Sequence, residues 1–305
     1  MYGFRDFFVS ARPYGFSMTP EEMRDKLGPF RDKALAGGIP VEDVERWMDT
    51  ARPCVTLGGH AEGPVVGRFG GPLLLPVGTP HPFHPFVASI DFAAVPADAT
   101  DLPLPPDGHL LLFAYPENFG DGECMGSAVY VPTGTAVEER DKEGWAWFED
   151  DDEYQEVFAR FPQEPLRGAA DVSLPYHYWV EIPEEPRWVP LPGHPRSEEL
   201  AEVWADTCED IVSPGQLQLG GYADQEAVDT DPVVTAVGYA VREAAAGRWG
   251  GGEPVSADPA DWVLLAEWNP WIDGLEGATV HWSIQRTDLT AHRFDRTYTT
   301  VFRNP

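Results

Sequence analysis

Cysteine is scarce. Cys54, Cys124 and Cys208 are the only three in 305 residues, widely spaced and without a Cys-x-x-Cys pair. That argues against a disulfide framework or a thiolate zinc site, and it reads as ordinary thiols of a reducing compartment. Long apolar runs are missing too. No stretch approaches eighteen residues, and the opening Met1-Tyr2-Gly3-Phe4-Arg5-Asp6 lacks the apolar centre of a signal peptide. The expectation is a cytoplasmic protein with no membrane partner. Positive charge is in short supply: 21 Lys and Arg stand against 51 Asp and Glu, for a net charge of −30 and a pI near 4.4. Such a surface repels a phosphate backbone, so nucleic acid is excluded as a partner. It suits a basic protein partner, a cationic ligand, or plain solubility. No nucleophile motif is present and no glycine-rich turn opens a helix, so no catalytic residue, cofactor or metal is assigned.

What the chain does have is turns and short strands. Pro and Gly together make about a fifth of it, the composition of many strands joined by punctuated loops. Arg68-Phe69-Gly70-Gly71-Pro72-Leu73-Leu74-Leu75-Pro76 is echoed by Leu217-Gln218-Leu219-Gly220-Gly221-Tyr222. Each Gly-Gly is followed by apolar runs, Phe86 to Phe92 and Gly108 to Phe113 in the first copy, Trp262 to Trp268 and Gly277 to Ile284 in the second. Glycine at these points permits positive φ or close backbone approach. The order predicts an α+β fold, mainly antiparallel β, built of two related β-rich halves packed together with a few peripheral helices. The expected organisation within one compact domain is a helical hairpin over 1–52, a first half over 53–195 and a second over 196–305.

Helix signals are local. Thr19-Pro20-Glu21-Glu22 combines an N-cap, a first-turn proline and acids at the positive end of the dipole. Met23, Leu27, Phe30 and Leu35 form an apolar stripe interrupted by Gly28, and a second helix runs from Pro40 toward Ala51. Ser197 is expected to cap a helix bearing Leu200, Val203 and Trp204, and Asp231-Pro232 to open another that ends at Gly247. His81 and His84 are read as loop residues, since a metal site needs further ligands. From Glu138 to Glu156 the chain is strongly acidic, yet Trp145, Trp147, Phe148, Tyr154 and Phe158 are interleaved with Asp150, Asp151 and Asp152. A fully solvated acidic tail would lack such rings. The segment is either anchored to the body by them or is an apolar binding patch rimmed with acids.

The ordered set Gly70-Gly71 with Leu75-Pro76, Ala88 with Ile90-Asp91, Leu104-Pro105 with Gly108 and Phe113, and Gly220-Gly221-Tyr222 with Gln225 resembles the YwqG-like family, a bacterial family of unknown function. Leu264-Leu265, Asp273, Ile284, Asp288-Leu289 and Phe294 continue the match. The similarity covers most of the chain from about Ala51. There are departures: Ser89 stands where the family usually has glutamine, Glu267 holds the corresponding place in the second half, and the usual Trp-Gly-Asp is Trp271-Ile272-Asp273. The resemblance implies a mainly β, α+β fold. Because some members are found encoded near secreted toxin systems, it also implies an immunity or interaction role, with no catalytic residues to carry over.

Three functions follow from these residues. The first is a non-enzymatic acidic binding protein for a basic partner, such as an immunity protein neutralising a basic toxin, with Trp145, Trp147, Phe148, Asp150, Asp151, Asp152 and Tyr154 as contact surface. The second is a hydrolase using carboxylates such as Asp91, Glu267 and Asp273, in which Asp91 and Glu267, related by the repeat, face one another and acid and base roles are divided. The third is a small-ligand or glycan binder using Trp249, Trp262, Trp268, Trp271 and Trp282. The first is the reading adopted from the sequence. Oligomeric state is left open.

Overall fold

A computed structural model describes residues 17–117, 122–140, 152–182, 187–225 and 230–304. Its helices are α1 (Pro20–Lys26), α2 (Gly28–Ala36), α3 (Val41–Met48), α4 (Asp152–Ala159), α5 (Ser197–Ala205), α6 (Cys208–Ile211), α7 (Pro232–Ala245) and α8 (Arg286–Thr290). The strands before the midpoint are β1 (Arg52–Gly58), β2 (Val65–Phe69), β3 (Leu73–Pro76), β4 (Phe86–Asp91), β5 (His109–Ala114), β6 (Gly126–Val131) and β7 (Val137–Arg140). Those after it are β8 (Pro165–Ser173), β9 (Trp179–Ile182), β10 (Arg187–Pro190), β11 (Leu217–Gly220), β12 (Trp262–Trp268), β13 (Ala278–Gln285) and β14 (Tyr298–Arg303). The fold is α+β and mainly antiparallel, as the punctuated apolar runs predict.

Among the described residues ten strands form one sheet in the order β14-β13-β12-β11-β1-β8-β2-β4-β5-β6, every pairing antiparallel. Two four-strand meanders, β2-β4-β5-β6 and β11-β12-β13-β14, flank the central pair β1 and β8. The central pair is crossed: β1 precedes the first meander in the chain but pairs with β11 of the second, while β8 precedes the second and pairs with β2 of the first. Each meander is thus tied to the other's leading strand.

The sheet curls until its edges meet. Met125 N donates to Thr299 O at 3.0 Å, and a Cβ at Gly126 would lie 2.7 Å from Thr299 Cγ2. Trp282 on β13 reaches across the interior, its Nε1 donating to Phe113 O at 3.2 Å. The enclosed core joins Val55, Leu57, Ile90, Leu110, Leu112, Leu166, Leu219, Trp268 and Trp282. Each large apolar side chain so buried contributes about 1.5–3 kcal/mol. Trp262, Trp268 and Trp282 are buried in this framework, so the tryptophans of the second half form no exposed row; Trp271 alone among them stands out, 67 % exposed.

Three covers close the outer face. The helices α1, α2, α3, α5 and α6 share a core of Phe30, Trp47, Leu200, Trp204 and Ile211 with the end of β8. The helix α7 lays Val233, Ala236, Val237 and Ala240 on Trp262, Leu264 and Tyr298. Over the first meander the β3–β7 ribbon packs Leu73 and Leu75 on Phe86, Leu111, Phe113 and Val131.

Local signals behave as their chemistry requires, with two corrections. Thr19 forms a capping box with Glu22, and Asp231 Oδ1 accepts from Val233 N at 2.8 Å to cap α7. The apolar stripe of the first hairpin is two helices, because the chain breaks at Leu27 and restarts at Gly28-Pro29. Ser197 does not cap α5: it is the first helical residue, and its hydroxyl donates to Tyr178 O at 2.9 Å and accepts from Leu191 N at 3.2 Å. A serine before two glutamates looks like a cap, but the neighbouring chain offered it buried backbone partners instead.

A candidate site between the covers

On the outer face, Thr56, Gln218, Glu267, His281 and Thr300 lie side by side across β1, β11, β12, β13 and β14. The same row in the first meander is Arg68, Ser89, Leu111 and Val129. The topological equivalent of Glu267 is therefore Ser89. In the first meander the β3–β7 ribbon covers the apolar end of the row, Leu111 and Val129; the second meander keeps polar side chains buried in it, Glu267 at 4 % and His281 at 0 % exposure. Buried polar groups demand partners.

Glu267 is well supplied. Its Oε2 accepts from Asp224 N at 2.7 Å and lies 3.3 Å from His281 Nε2, and its Oε1 accepts from Asn269 Nδ2 at 3.3 Å. Asn269 in turn accepts from Thr279 Oγ1 at 3.0 Å. His281 Nε2 also stands 3.0 Å from Asp224 O. A carbonyl and a carboxylate oxygen both accept, so Nε2 carries the hydrogen and donates. Nδ1 of His281 finds no hydrogen-bond partner among the described residues.

The Gly220-Gly221 turn delivers Asp224 to this grip. Both glycines are left-handed, φ +69° and +76°, and a Cβ on Gly221 would lie 2.9 Å from Ser173 Cβ and 3.1 Å from Cys54 Cβ. Gln218 Nε2 donates to Gly220 O and Tyr222 O at 2.9 and 3.1 Å, and Tyr222 N donates to Ser173 Oγ at 3.0 Å. Tyr222 is fixed further by its hydroxyl, which donates to Thr50 O at 2.9 Å, and by the Arg52 guanidinium 4.4 Å above its ring.

Beside this turn opens a cleft of about 690 Å³. Its walls include Tyr176, Tyr178, Cys208, Glu209, Asp224, Gln225 and Trp271, drawn from the segment after β8, from α6, from the Gly-Gly turn and from the β12–β13 connection. Burial, then the charge of Asp224, push the Tyr176 hydroxyl well above its ordinary range, and burial with Asp224 also raises the Cys208 thiol. Trp271 adopts φ +49° at the rim, a conformation that costs a bulky residue about 1–2 kcal/mol.

The residues singled out in the sequence are distributed unevenly. Gly220, Gly221, Gln225 and Glu267 converge here. Gly70 and Gly71 make the corresponding left-handed turn in the first meander, φ +58° and +83°. Pro76 pairs with Val137 on the ribbon, and Gly108, φ +86°, precedes β5. Asp91 and Glu267 do not face one another: Asp91 lies opposite His109 at the end of β4, where its Oδ1 accepts from Ala93 N at 3.0 Å. It caps a turn, which accounts for it without chemistry. Asp273 is exposed, and its carbonyl accepts from Arg160 Nη1 at 2.8 Å. Trp145, Trp147, Phe148, Asp150 and Asp151 lie outside the described residues; Asp152 and Tyr154 fall on α4. Further along that segment Phe158 meets Phe161 at 5.2 Å between centroids, and Phe161 meets Trp268 of the core at 5.2 Å.

Asp224 and His281 were not singled out by sequence reasoning. The available signal was the single charged or imidazole residue interrupting each apolar run, in Ala266-Glu267-Trp268 and Val280-His281-Trp282, but only the strand register places the two opposite each other. Among the described residues no three His, Cys, Asp or Glu side chains gather as a metal set, and no helix is long and apolar enough to cross a membrane. Residues 67–301 match the model of a domain of unknown function, DUF1963. No curated protein matches the chain.

Proposed function

We propose that this chain, which belongs to the DUF1963 family of unknown function, is an acidic binding protein for a basic protein partner rather than an enzyme. The observation that carries the reading is the acid surplus of 51 against 21. Much of the positive charge is already paired within the chain: Arg24, Arg31, Arg140, Arg196, Arg248, Arg293 and Arg296 all sit in ion pairs. The remaining carboxylates project an unneutralised field, which accelerates encounter with a cationic partner. The candidate site leans the same way. Both oxygens of Glu267 are engaged by the protein itself, and Asp91 caps a turn, so neither carboxylate is set up as a free acid or base. The finer reading, from the resemblance to YwqG-like proteins, is a cytoplasmic immunity protein that neutralises a basic toxin.

The test is an association-rate measurement. Proteins encoded by the neighbouring reading frames supply the candidate partners, and binding of each to the immobilised chain is followed across a range of sodium chloride concentrations. A basic partner is expected whose association rate falls about tenfold or more between low and physiological salt, with little change in dissociation. A neutral or acidic partner, or an association rate indifferent to salt, overturns the reading.

A further inference from the structure

We propose that the cleft beside the Gly220-Gly221 turn is a seat for a guanidinium or ammonium group carried on an apolar stem. Tyr176, Tyr178 and Trp271 would form its aromatic walls, and Glu209 and Asp224 its counter-charges. The inference rests on the reading of a basic partner, whose Arg or Lys side chain is one source of such a group; a free small amine is the other.

Size is the first support. About 690 Å³ lies within the range of small-ligand sites, and the lining mixes rings with a few polar groups. Sign is the second. Among the described residues lining the cleft there is no Lys or Arg, while two carboxylates are present. Another cleft of the second half gives a direct contrast. There Arg248, Arg293 and Arg296 line the walls, and each is already paired with Glu243, Glu253 or Asp288. Third is Trp271. An indole 67 % exposed, held at φ +49°, has neither burial nor backbone preference to account for its place. A ring face at the mouth of an acidic cleft is the group that a desolvated cation seeks. The nearby Glu267–His281 grip fixes the Asp224 backbone and so the geometry of one counter-charge.

The experiment is a calorimetric titration at low salt with agmatine, with the blocked tripeptide acetyl-Gly-Arg-Gly-amide, and with the uncharged analogue butylurea. Saturable binding of agmatine or the tripeptide is expected, with none of butylurea. Trp271→Ala and Glu209→Gln should each weaken it about threefold to tenfold; both sites are open to the cleft, and circular dichroism checks that the variants fold. Tripeptide binding displaced by agmatine assigns the group to a side chain, whereas agmatine binding without the tripeptide assigns it to a free amine. Absence of binding by both cations, or affinities unchanged in both variants, overturns the proposal. The two readings fail separately. If the basic partner binds both variants as it binds the wild type, the cleft is not its seat but the acidic binding protein stands. If the cations titrate the cleft while no partner shows salt-dependent association, the cleft stands and the protein-partner reading falls.

Discussion

Glu267 Oε2 and His281 Nε2 lie 3.3 Å apart on neighbouring strands and hold opposite sides of one residue, Asp224, the carboxylate taking its N–H and the imidazole its carbonyl. The pair thus completes hydrogen bonds for a turn that leaves the sheet and belongs to no ladder. Its role is to position: it sets where the chain between Gly221 and α7 runs, and with it one wall of the cleft.

Removing the carboxylate should therefore be felt locally first. Glu267→Ala leaves the Asp224 N–H and the Asn269 amide without their acceptor inside the protein, a cost of about 1–3 kcal/mol. Glu267→Gln retains an oxygen for the Asp224 N–H and should cost clearly less. Urea denaturation gives the global value, and amide exchange at Asp224 gives the local one. Equal protection of that amide in wild type and Glu267→Ala would show that the bond does not hold the turn.

How much of this was legible beforehand depends on whether a signal was local. The apolar strand runs, the caps at Thr19 and Asp231 and the left-handed glycine pairs could all be read, because each follows from a local apolar pattern, a side-chain oxygen or a missing Cβ. The partners of Glu267 could not. Asp91 and Glu267 hold related places in the two apparent repeats, so the repeat suggested that they meet. Which residues share a row is set by bulges, one between Leu264 and Ala266 and one between Phe86 and Ala88, and a one-residue slip changes the face of every side chain beyond it. Ser197 failed for a related reason: its acceptor, Tyr178 O, is nineteen residues away. Crossing of β1 and β8 between the meanders has no sequence signature at all.

Gly221 offers a sharper test of the turn. At φ +76° an L side chain is strained, and a Cβ would press on backbone-proximal atoms of Ser173 and Cys54 that cannot swing aside. Gly221→Ala should lose about 2 kcal/mol or more, whereas Gly134→Ala, also left-handed but with nothing within 4 Å, should lose only the smaller conformational part. Comparing the two denaturation midpoints separates close approach from φ. Equal losses would mean that contact with β1 and β8 does not matter.

A second buried charge secures the far end of the same meander. Arg296 Nε meets Asp288 Oδ2 at 2.9 Å with both side chains under 10 % exposed, while its terminal nitrogens donate to Gly250 O at 2.6 Å and Pro254 O at 2.9 Å. Arg296→Met would leave Asp288 with the Gln285 amide and the half-exposed Arg293 as partners and release two carbonyls. The expected cost is about 3–5 kcal/mol, that of breaking a buried pair from one side. Arg296→Lys keeps the charge but loses the fork, and should fall between. A thermal melt of Arg296→Met within a degree of wild type would contradict the assignment.

One histidine should make stability depend on pH. Burial holds the His84 ring down to about 4, against an ordinary value of 6.5. Its folded pKa is depressed, so the unfolded chain takes up the proton first. The stability associated with the neutral, half-buried ring is complete above about 6.5, declines as pH falls toward 4, and changes no further below that. His84→Asn has no such proton to bind. The shift of its urea midpoint between pH 7 and pH 4.5 should be smaller than that of wild type, and identical shifts would acquit His84.

Trp271 is the position where stability and binding should part company. A tryptophan in the left-handed region is held against its preference, while asparagine enters that region at several times the ordinary frequency. The indole is mostly exposed and repays little of the cost by packing. Trp271→Asn should therefore leave the melting temperature unchanged or raise it by a few degrees, the equivalent of about 1 kcal/mol, even as it strips the cleft of an aromatic wall. A substitution that stabilises the fold while weakening a cationic ligand is the expected mark of strain kept for binding. If Trp271→Asn instead lowers the melting temperature by several degrees, the ring is there to support the β12–β13 connection and its exposure has no functional meaning.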